Sequence, residues 1–336
     1  MNKRPCRFAV LGAGSWGTAL AMLLADNGQQ VTLWAHHADH AQAMQQSHSN
    51  ERYLPGIPFP AGLNITADFA EAVDTAEIIL LVVPSHAFRV TLQRLKQRIK
   101  PGQRVAWGTK GLEPGSNKLL HQMAREELGE TVPIAVISGP TFAKEVARKL
   151  PGAVTVASAD SDYALLLARA LKNHYFRTYT GRDIVGVEIG GAVKNVMAIA
   201  AGTADGLGFG ANARAALIAR GVAEIMRLGM ALGARQETFM GLTGLGDLVL
   251  TCTDDQSRNR RLGLALGEGK SVAETVEAIG QVVEGINTSK EIRALAQAHD
   301  VDMPISEQVY RVIHEGLDPR EAVHNLMERA IRSELD

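Results

Sequence analysis

Short apolar runs alternate with longer amphipathic ones through the first half of the chain. RFAVLG, QVTLWA, EIILLVVP, QRVAWGTKG, IAVISGP, AVTVAS and YFRTYT have the apolar density and β-branched content of strands. The segments near 16–27, 86–99, 116–128, 141–148 and 160–172 have helical spacing. Strands alternating with helices predict a mostly parallel, doubly wound sheet with helices on both faces. ILLVV is apolar without alternation, as an interior parallel strand covered on both sides must be. The stretch 50–67, with Pro55, Pro58 and Pro60, interrupts this pattern and reads as an irregular excursion to which the pattern assigns no role.

Beyond residue 182 the strand-like runs stop, and the remainder reads as helices broken at GLGFGAN, TGLGDL, GEGKS, VDMP and GLDPR. An α/β domain over 1–184 followed by an all-helical domain over 185–336 is therefore expected, and 336 residues suffice for two cores. The first helix of the second domain is unusual. From Ile184 to Ala204 its only polar side chains are Glu188, Lys194, Asn195 and Thr203. A helix apolar nearly all round is a buried one, and a buried ammonium needs a partner or a task.

Composition narrows the function classes. With 35 basic and 36 acidic residues the net charge is -1, so no global field attracts nucleic acid or an anionic membrane, and any anion site must be local. Two cysteines, Cys6 and Cys252, exclude a disulfide framework and fit a reducing compartment. No histidine has ligand spacing with cysteines or acids, so no metal is expected. The N-terminal MNKRPCR followed by FAVLGAGSWGTALAMLLA has the outline of a signal peptide. Its glycine spacing, and the new strand QVTLW directly after it, favour the first βαβ unit of a cytoplasmic protein with no integral membrane association.

That unit carries G-x-G-x-x-G at Gly12, Gly14 and Gly17, between a strand and a helix. The first glycine permits a tight turn, the second lets backbone approach a pyrophosphate, and the third allows close helix–strand packing, the pattern of a Rossmann-type dinucleotide site. Ser15 and Trp16 would lie against the phosphates or the adjoining ribose. The end of the second strand reads Trp34, Ala35, His36, His37, and the first acid is Asp39. No carboxylate stands ready to repel a 2'-phosphate, so either NAD or NADP is admitted and NADPH is favoured, with His36 and His37 as candidate phosphate donors.

Candidate chemistry follows the strand ends and the helical half. Lys110 in WGTKG, and Ser138, Gly139, Pro140 and Thr141 in VISGPTFAKEV, lie where an open parallel sheet places ligands, with Thr141 also a candidate N-cap. Lys194 has no carboxylate in helical register, since Glu188 is six residues away. A task is therefore favoured over a partner from elsewhere, and desolvation would bring its pKa into the range of proton transfer. Asp247 and Thr251 are four apart in GLTGLGDLVLTCT, on one face if helical, where an acid and a hydroxyl can orient substrate hydroxyls or the catalytic ammonium, although Asp247 could equally cap a helix after Gly246. In SRNRRLG, Ser257, Arg258 and Asn259 supply donors suited to a phosphate monoester, with Arg260 and Arg261 beside them.

GAGSWGTALA, WGTKG, SGPTFAKEV, VEIGGAVKNVMAIAAG, GLTGLGDLVLTCT, SRNRRLG and VVEG, in this order and spacing, resemble the bacterial-type NAD(P)-dependent glycerol-3-phosphate dehydrogenases. The resemblance runs from the first strand to Gly285. It implies interconversion of dihydroxyacetone phosphate and sn-glycerol 3-phosphate, feeding glycerophospholipid synthesis, in a cytoplasmic, dimeric enzyme. It implies Lys194 as proton donor and acceptor, and Lys110, Gly139, Thr141, Asp247, Ser257, Arg258 and Asn259 as substrate contacts, with Thr251 supporting the lysine. It implies Ser15, Trp16, His36, Lys110, Ala143, Arg258, Val282 and Glu284 as cofactor lining. Family members often carry arginine where this chain has His36 and His37. A 3-hydroxyacid dehydrogenase on the same layout would need a carboxylate site in place of the SRNRRLG cluster. A non-catalytic dinucleotide sensor would not need a lysine of depressed pKa.

Overall fold

The computed structural model describes residues 4–331 and 333; residues 1–3 of the leader-like outline, Lys3 among them, lie outside the described residues. The strands are β1 (Arg7–Leu11), β2 (Gln30–Trp34), β3 (Leu63–Thr66), β4 (Ile78–Leu81), β5 (Arg104–Trp107), β6 (Ile134–Ser138), β7 (Gly152–Ala157) and β8 (Phe176–Gly181). They form one sheet in the order β3-β2-β1-β4-β5-β6-β7-β8, parallel except that β7 runs antiparallel to β6. The connecting helices are α1 (Ser15–Asp26), α2 (Ala38–Ser47), α3 (Phe69–Asp74), α4 (Ser85–Lys96), α5 (Leu120–Leu128), α6 (Ala143–Ala147) and α7 (Ser161–Leu171). Two apolar clusters, one on each face of the sheet, bury alternate side chains of the same strands: Phe8 and Val10 in one, Ala9 and Leu11 in the other. The leader-like run is β1, the glycine turn and α1, with β1 interior between β2 and β4.

Two expectations need correction here. The excursion at 50–67 is not irregular throughout: Leu63–Thr66 is the edge strand β3, paired in parallel with β2. Its four residues are too short for a periodicity to separate them from the proline-bearing turn before them. TGLGDL does not break a helix either. Leu242–Gly246 forms a π-helical segment that continues directly into α11 (Asp247–Thr253), because the glycines allow backbone to pack closely there rather than ending the helix.

The helical half comprises α8 (Ile184–Gly206), α9 (Ala211–Ala231), α10 (Gln236–Phe239), α11, α12 (Arg258–Gly267), α13 (Val272–Ile279), α14 (Glu284–Ala298), α15 (Pro304–Tyr310) and α16 (Pro319–Met327), with a second π segment at Arg311–Glu315. Helix α8 is the axis of this half, packed by α9, α11, α12, α14 and α15 and by strand β6. It is long and apolar enough by length and composition to cross a membrane, yet 89% of its most apolar window is buried within the protein. Asp183 starts it, its carboxylate accepting from Gly186 N at 2.9 Å while also accepting from Arg235 N and the Thr238 hydroxyl.

Candidate active site

Glycines set how closely the neighbours of α8 approach. A Cβ on Gly190 would lie 2.4 Å from the Thr243 carbonyl oxygen, which brings the π segment and the start of α11 directly onto α8. A Cβ on Gly191 would lie 3.2 Å from Ser138 Oγ and 3.6 Å from Lys110 Cγ, which draws the ends of β5 and β6 onto the same turn. Where α8 crosses α12, a Cβ on Gly202 would fall 2.1 Å from Arg260 O, and one on Gly263 would fall 2.0 Å from Ile199 O. Four segments thereby pack closely onto α8, and two of them bring Lys110, Asp247 and Thr251 to Lys194.

Lys194 Nζ donates to Asp247 Oδ1 at 2.5 Å and to Thr251 Oγ1 at 2.9 Å, and Lys110 Nζ donates to Asp247 Oδ2 at 2.7 Å. Thr251 completes the arrangement by donating its own hydroxyl to Asp247 O at 2.6 Å. The Asp247 side chain is wholly buried, and those of Lys194 and Lys110 are 8% and 19% exposed. One carboxylate therefore clasps two ammoniums, one from each half of the chain. Lys194 does have a carboxylate partner from another element, which corrects the expectation of a task without one. The sequence offered Asp247 only as one candidate to orient the ammonium, because the pair spans 53 residues. Glu188 faces elsewhere, accepting from His121 N at 2.9 Å and from His121 Nδ1 at 2.6 Å.

Burial pushes the Lys194 ammonium down to about 7; Asp247 opposes the shift and the positive charge of Lys110 adds to it. An ammonium has three N–H donors, and two are used on Asp247 and Thr251. The third meets no protein oxygen among the described residues. Asp247 is the first residue of α11, without a capping hydrogen bond, so its service is to the lysines and not to a helix end.

A second cluster forms at the start of α12. Ser257 caps that helix, its Oγ accepting from Arg260 N at 3.2 Å. Asn259 Nδ2 donates to Asn195 Oδ1 at 3.0 Å, and Asn259 Oδ1 accepts from Gly285 N at 2.9 Å, so one amide ties α8, α12 and the first turn of α14 together. The Arg258 guanidinium is held below its usual range by burial, with Glu284 and Tyr53 close enough to act on its charge. Arg260 is tied to Asp205 and Asp255, and Arg261 is exposed, so the arginine run divides into a structural member, a solvated member and Arg258. Glu284 accepts from Ser85 Oγ at 3.4 Å, and burial raises its carboxyl above the usual range.

The glycine turn fits a dinucleotide. Gly12 has φ +119, and its Cβ would meet Val82 O at 2.4 Å; a Cβ on Gly17 would meet Gly12 O at 1.9 Å. Both are thus required by the protein's own packing. At Gly14 a Cβ would meet nothing within 4 Å, so the open side there suits an approaching pyrophosphate at the N-terminus of α1. Ser15 Oγ donates to Tyr53 O at 3.1 Å, and Trp16 Nε1 is buried against Gly108 without a protein partner.

Two models of one family divide the chain between them. The N-terminal model of NAD-dependent glycerol-3-phosphate dehydrogenase matches residues 7–164, and the C-terminal model matches 183–324. The chain belongs to this family. It is 56% identical over 335 residues to glycerol-3-phosphate dehydrogenase (NAD(P)+) of Pseudoalteromonas translucida, covering 99% of this chain and 100% of the relative. Identity to the Aeromonas salmonicida protein of the same name is 55%, over 97% and 98% of the two chains. The crystal structure of glycerol-3-phosphate dehydrogenase from Coxiella burnetii superposes with a TM-score of 0.94 at 51% identity, covering 97% of this chain and 99% of that one.

Against this family frame the remaining expected residues sit as follows. Thr141 does not cap α6, whose N-cap is Phe142; its hydroxyl donates to Gly139 O at 3.3 Å instead. Gly139 is needed by packing, since a Cβ would stand 2.8 Å from Ala153 O. Ala143 opens α6 and packs on the sheet core. His36 and His37 are exposed beyond β2, His36 edge-on to Trp34 with ring centroids 5.6 Å apart. Val282 is 44% exposed, two residues before Glu284. Sequence reasoning passed over two residues that the site gathers. Asn195, next to Lys194, was noted as a polar member of the apolar run but given no role, and Tyr53, close enough to act on the Arg258 charge, lay in the excursion that periodicity could not interpret.

Proposed function

We propose that this protein interconverts dihydroxyacetone phosphate and sn-glycerol 3-phosphate with NADPH or NADH, and that the clasp of Lys110 and Lys194 on Asp247 is its reacting end. The observation that carries this reading is Lys194, a buried ammonium lowered toward neutrality with one donor left for a substrate oxygen. Bound cofactor supplies or takes up the hydride. Lys194 gives its proton to the ketone oxygen as it becomes an alkoxide, and takes it back in the reverse direction. Arg258 anchors the phosphate, while Asn259 holds the backbone of α14 so that the anion meets a fixed surface. Lys110 keeps Asp247 from pairing with Lys194 alone and adds positive charge beside the substrate.

The substrate-contact set comprises Lys110, Gly139, Thr141, Lys194, Asp247, Thr251, Ser257, Arg258 and Asn259. The cofactor set comprises Gly12, Gly14, Ser15, Trp16, Gly17, His36, His37, Lys110, Ala143, Arg258, Val282 and Glu284, to which Tyr53 is added. The absence of an acid between the end of β2 and Asp39 supports acceptance of a 2'-phosphate, and hence NADPH. The same reading makes this a cytoplasmic homodimer that supplies glycerophospholipid synthesis, with its domains divided at 184/185, next to the Asp183 cap; the near-zero net charge is compatible with it.

Loss of reduced-nicotinamide absorbance on adding dihydroxyacetone phosphate tests the reaction, with NADPH and NADH compared and unphosphorylated dihydroxyacetone as control. Turnover restricted to the phosphorylated ketone is expected. Equal turnover of both ketones would remove the phosphate site from the reading.

A further inference from the structure

The proline-bearing excursion between α2 and β3 acquires a role from its contacts. Asn50 is fully buried, and its Nδ2 donates to Ala13 O at 3.0 Å and to Thr18 Oγ1 at 2.8 Å. Its Oδ1 bonds His40 Nε2 at 3.0 Å. With both amide hydrogens directed at Ala13 and Thr18, the His40 contact requires the imidazole to donate, and the orientation of the amide is fixed from three sides. The segment is itself anchored. Leu54 N donates to Asn50 O at 2.7 Å, Ser49 pairs with Pro58, Leu54 and Ile57 are buried in the cluster beneath α1, and Tyr53 O receives the Ser15 hydroxyl.

Ala13 lies between Gly12 and Gly14, at the most permissive point of the turn. Its carbonyl and the Gly14 N–H belong to one planar trans peptide and point in opposite directions. Holding the carbonyl toward Asn50 therefore aims the Gly14 N–H away from the excursion. Thr18 lies on the first turn of α1, its N–H bonded to Gly14 O at 3.0 Å, so the same amide grips both ends of the turn.

We propose that Asn50 is a positioning residue for the dinucleotide's pyrophosphate, setting from behind the direction of the backbone N–H groups in the glycine turn. This rests on the reading that the turn receives a pyrophosphate. A buried amide replaced by a methyl leaves the Ala13 carbonyl unpaired and the turn free to rotate. Asn50→Ala should thus weaken binding of NADPH and of ADP-ribose, which shares the pyrophosphate, by roughly tenfold or more. Adenosine 2'-monophosphate, which lacks the pyrophosphate, should bind nearly as before. In turnover, KM for NADPH should rise far more than kcat falls, and KM for dihydroxyacetone phosphate should stay close to its original value.

Calorimetric titration of the three nucleotides into the full chain tests this. Thr18→Val, which removes one of the three contacts while keeping the side-chain shape, should show the same selectivity at smaller amplitude, and Thr18→Ser should restore binding. This pair carries the test if Asn50→Ala does not fold. Equal weakening of all three ligands, or unchanged affinity for ADP-ribose in the variants, overturns the proposal. Failure of the unsubstituted protein to bind ADP-ribose at all overturns the pyrophosphate reading beneath it, and is distinguished by needing no variant.

Discussion

Lys194 shows how one residue is given its chemistry by its surroundings. Its ammonium is stabilised by Asp247 and destabilised by burial and by Lys110, and burial is the largest of these influences. Replacing it by alanine removes the proposed proton donor without removing the glycines that bring α8 and its neighbours together. A fall in kcat of roughly 10² to 10⁴ with a retained far-ultraviolet dichroism spectrum is expected. The pH dependence has a definite sign. Ketone reduction needs the protonated amine, so its kcat should fall as pH rises through about 7, whereas alcohol oxidation needs the neutral amine and should rise through the same region. Parallel pH profiles in both directions measure this, and a lysine titrating in its ordinary range would leave both flat there.

The helix crossings are decided at the scale of elements. Helices α8 and α12 meet so closely that a Cβ on Gly263 would lie 2.0 Å from a backbone oxygen, which no rotamer relieves. Gly263→Val should force the helices apart, lower stability by at least about 1–3 kcal/mol, and raise KM for the phosphorylated substrate by moving Arg258 and Asn259 with the start of α12. Urea unfolding and steady-state kinetics check the two effects separately. A different device joins α9 to α15. Glu224, 1% exposed, accepts from Ile305 N at 2.6 Å and from Ser306 N at 3.1 Å, satisfying orphan donors of the first turn of α15. Burial raises its carboxyl to about 7 from 4.5, against the lowering effect of those hydrogen bonds. Between these values the folded chain holds more protons than the unfolded one. Glu224 therefore contributes stability that is complete below 4.5 and lost as pH rises through about 7. Glu224→Ala should flatten this part of the stability–pH curve and cost about 1–3 kcal/mol for each donor left unpaired.

At the scale of the molecule, Asp247 is a point at which the two halves meet chemically, because Lys110 follows strand β5 and Lys194 belongs to helix α8. Asp247→Asn would leave two ammoniums facing a neutral amide in a buried place. Breaking a buried ion pair from one side typically costs about 3–5 kcal/mol. Removal of the negative charge also lowers Lys194 further, so the limb of ketone reduction that falls with pH should move to more acidic pH. Differential scanning calorimetry and the pH profile of the variant give the two readings. An unmoved limb would show that Asp247 does not govern the proton on Lys194.

The alternation of strands and helices in the Rossmann half, the glycine turn, and the buried character of α8 were all legible along the chain, because each depends on local periodicity or on residues close in sequence, whereas the order of the strands in the sheet was not. The short edge strand β3 was not, since four residues beside three prolines have too little period to register. The site divides in the same way. Its members Lys110, Lys194, Asp247 and Arg258 could be named from residue type and local context, and the family resemblance added Glu284 and Val282. What only the tertiary structure decided is who pairs with whom: Asp247 with both lysines, Asn259 with Asn195 and Gly285, Asn50 with the glycine turn. Those partners lie 26 to 137 residues apart. Hydrogen bonds and burial act through space over a few ångströms, so their effects on charge and orientation exist only once the chain has closed those distances.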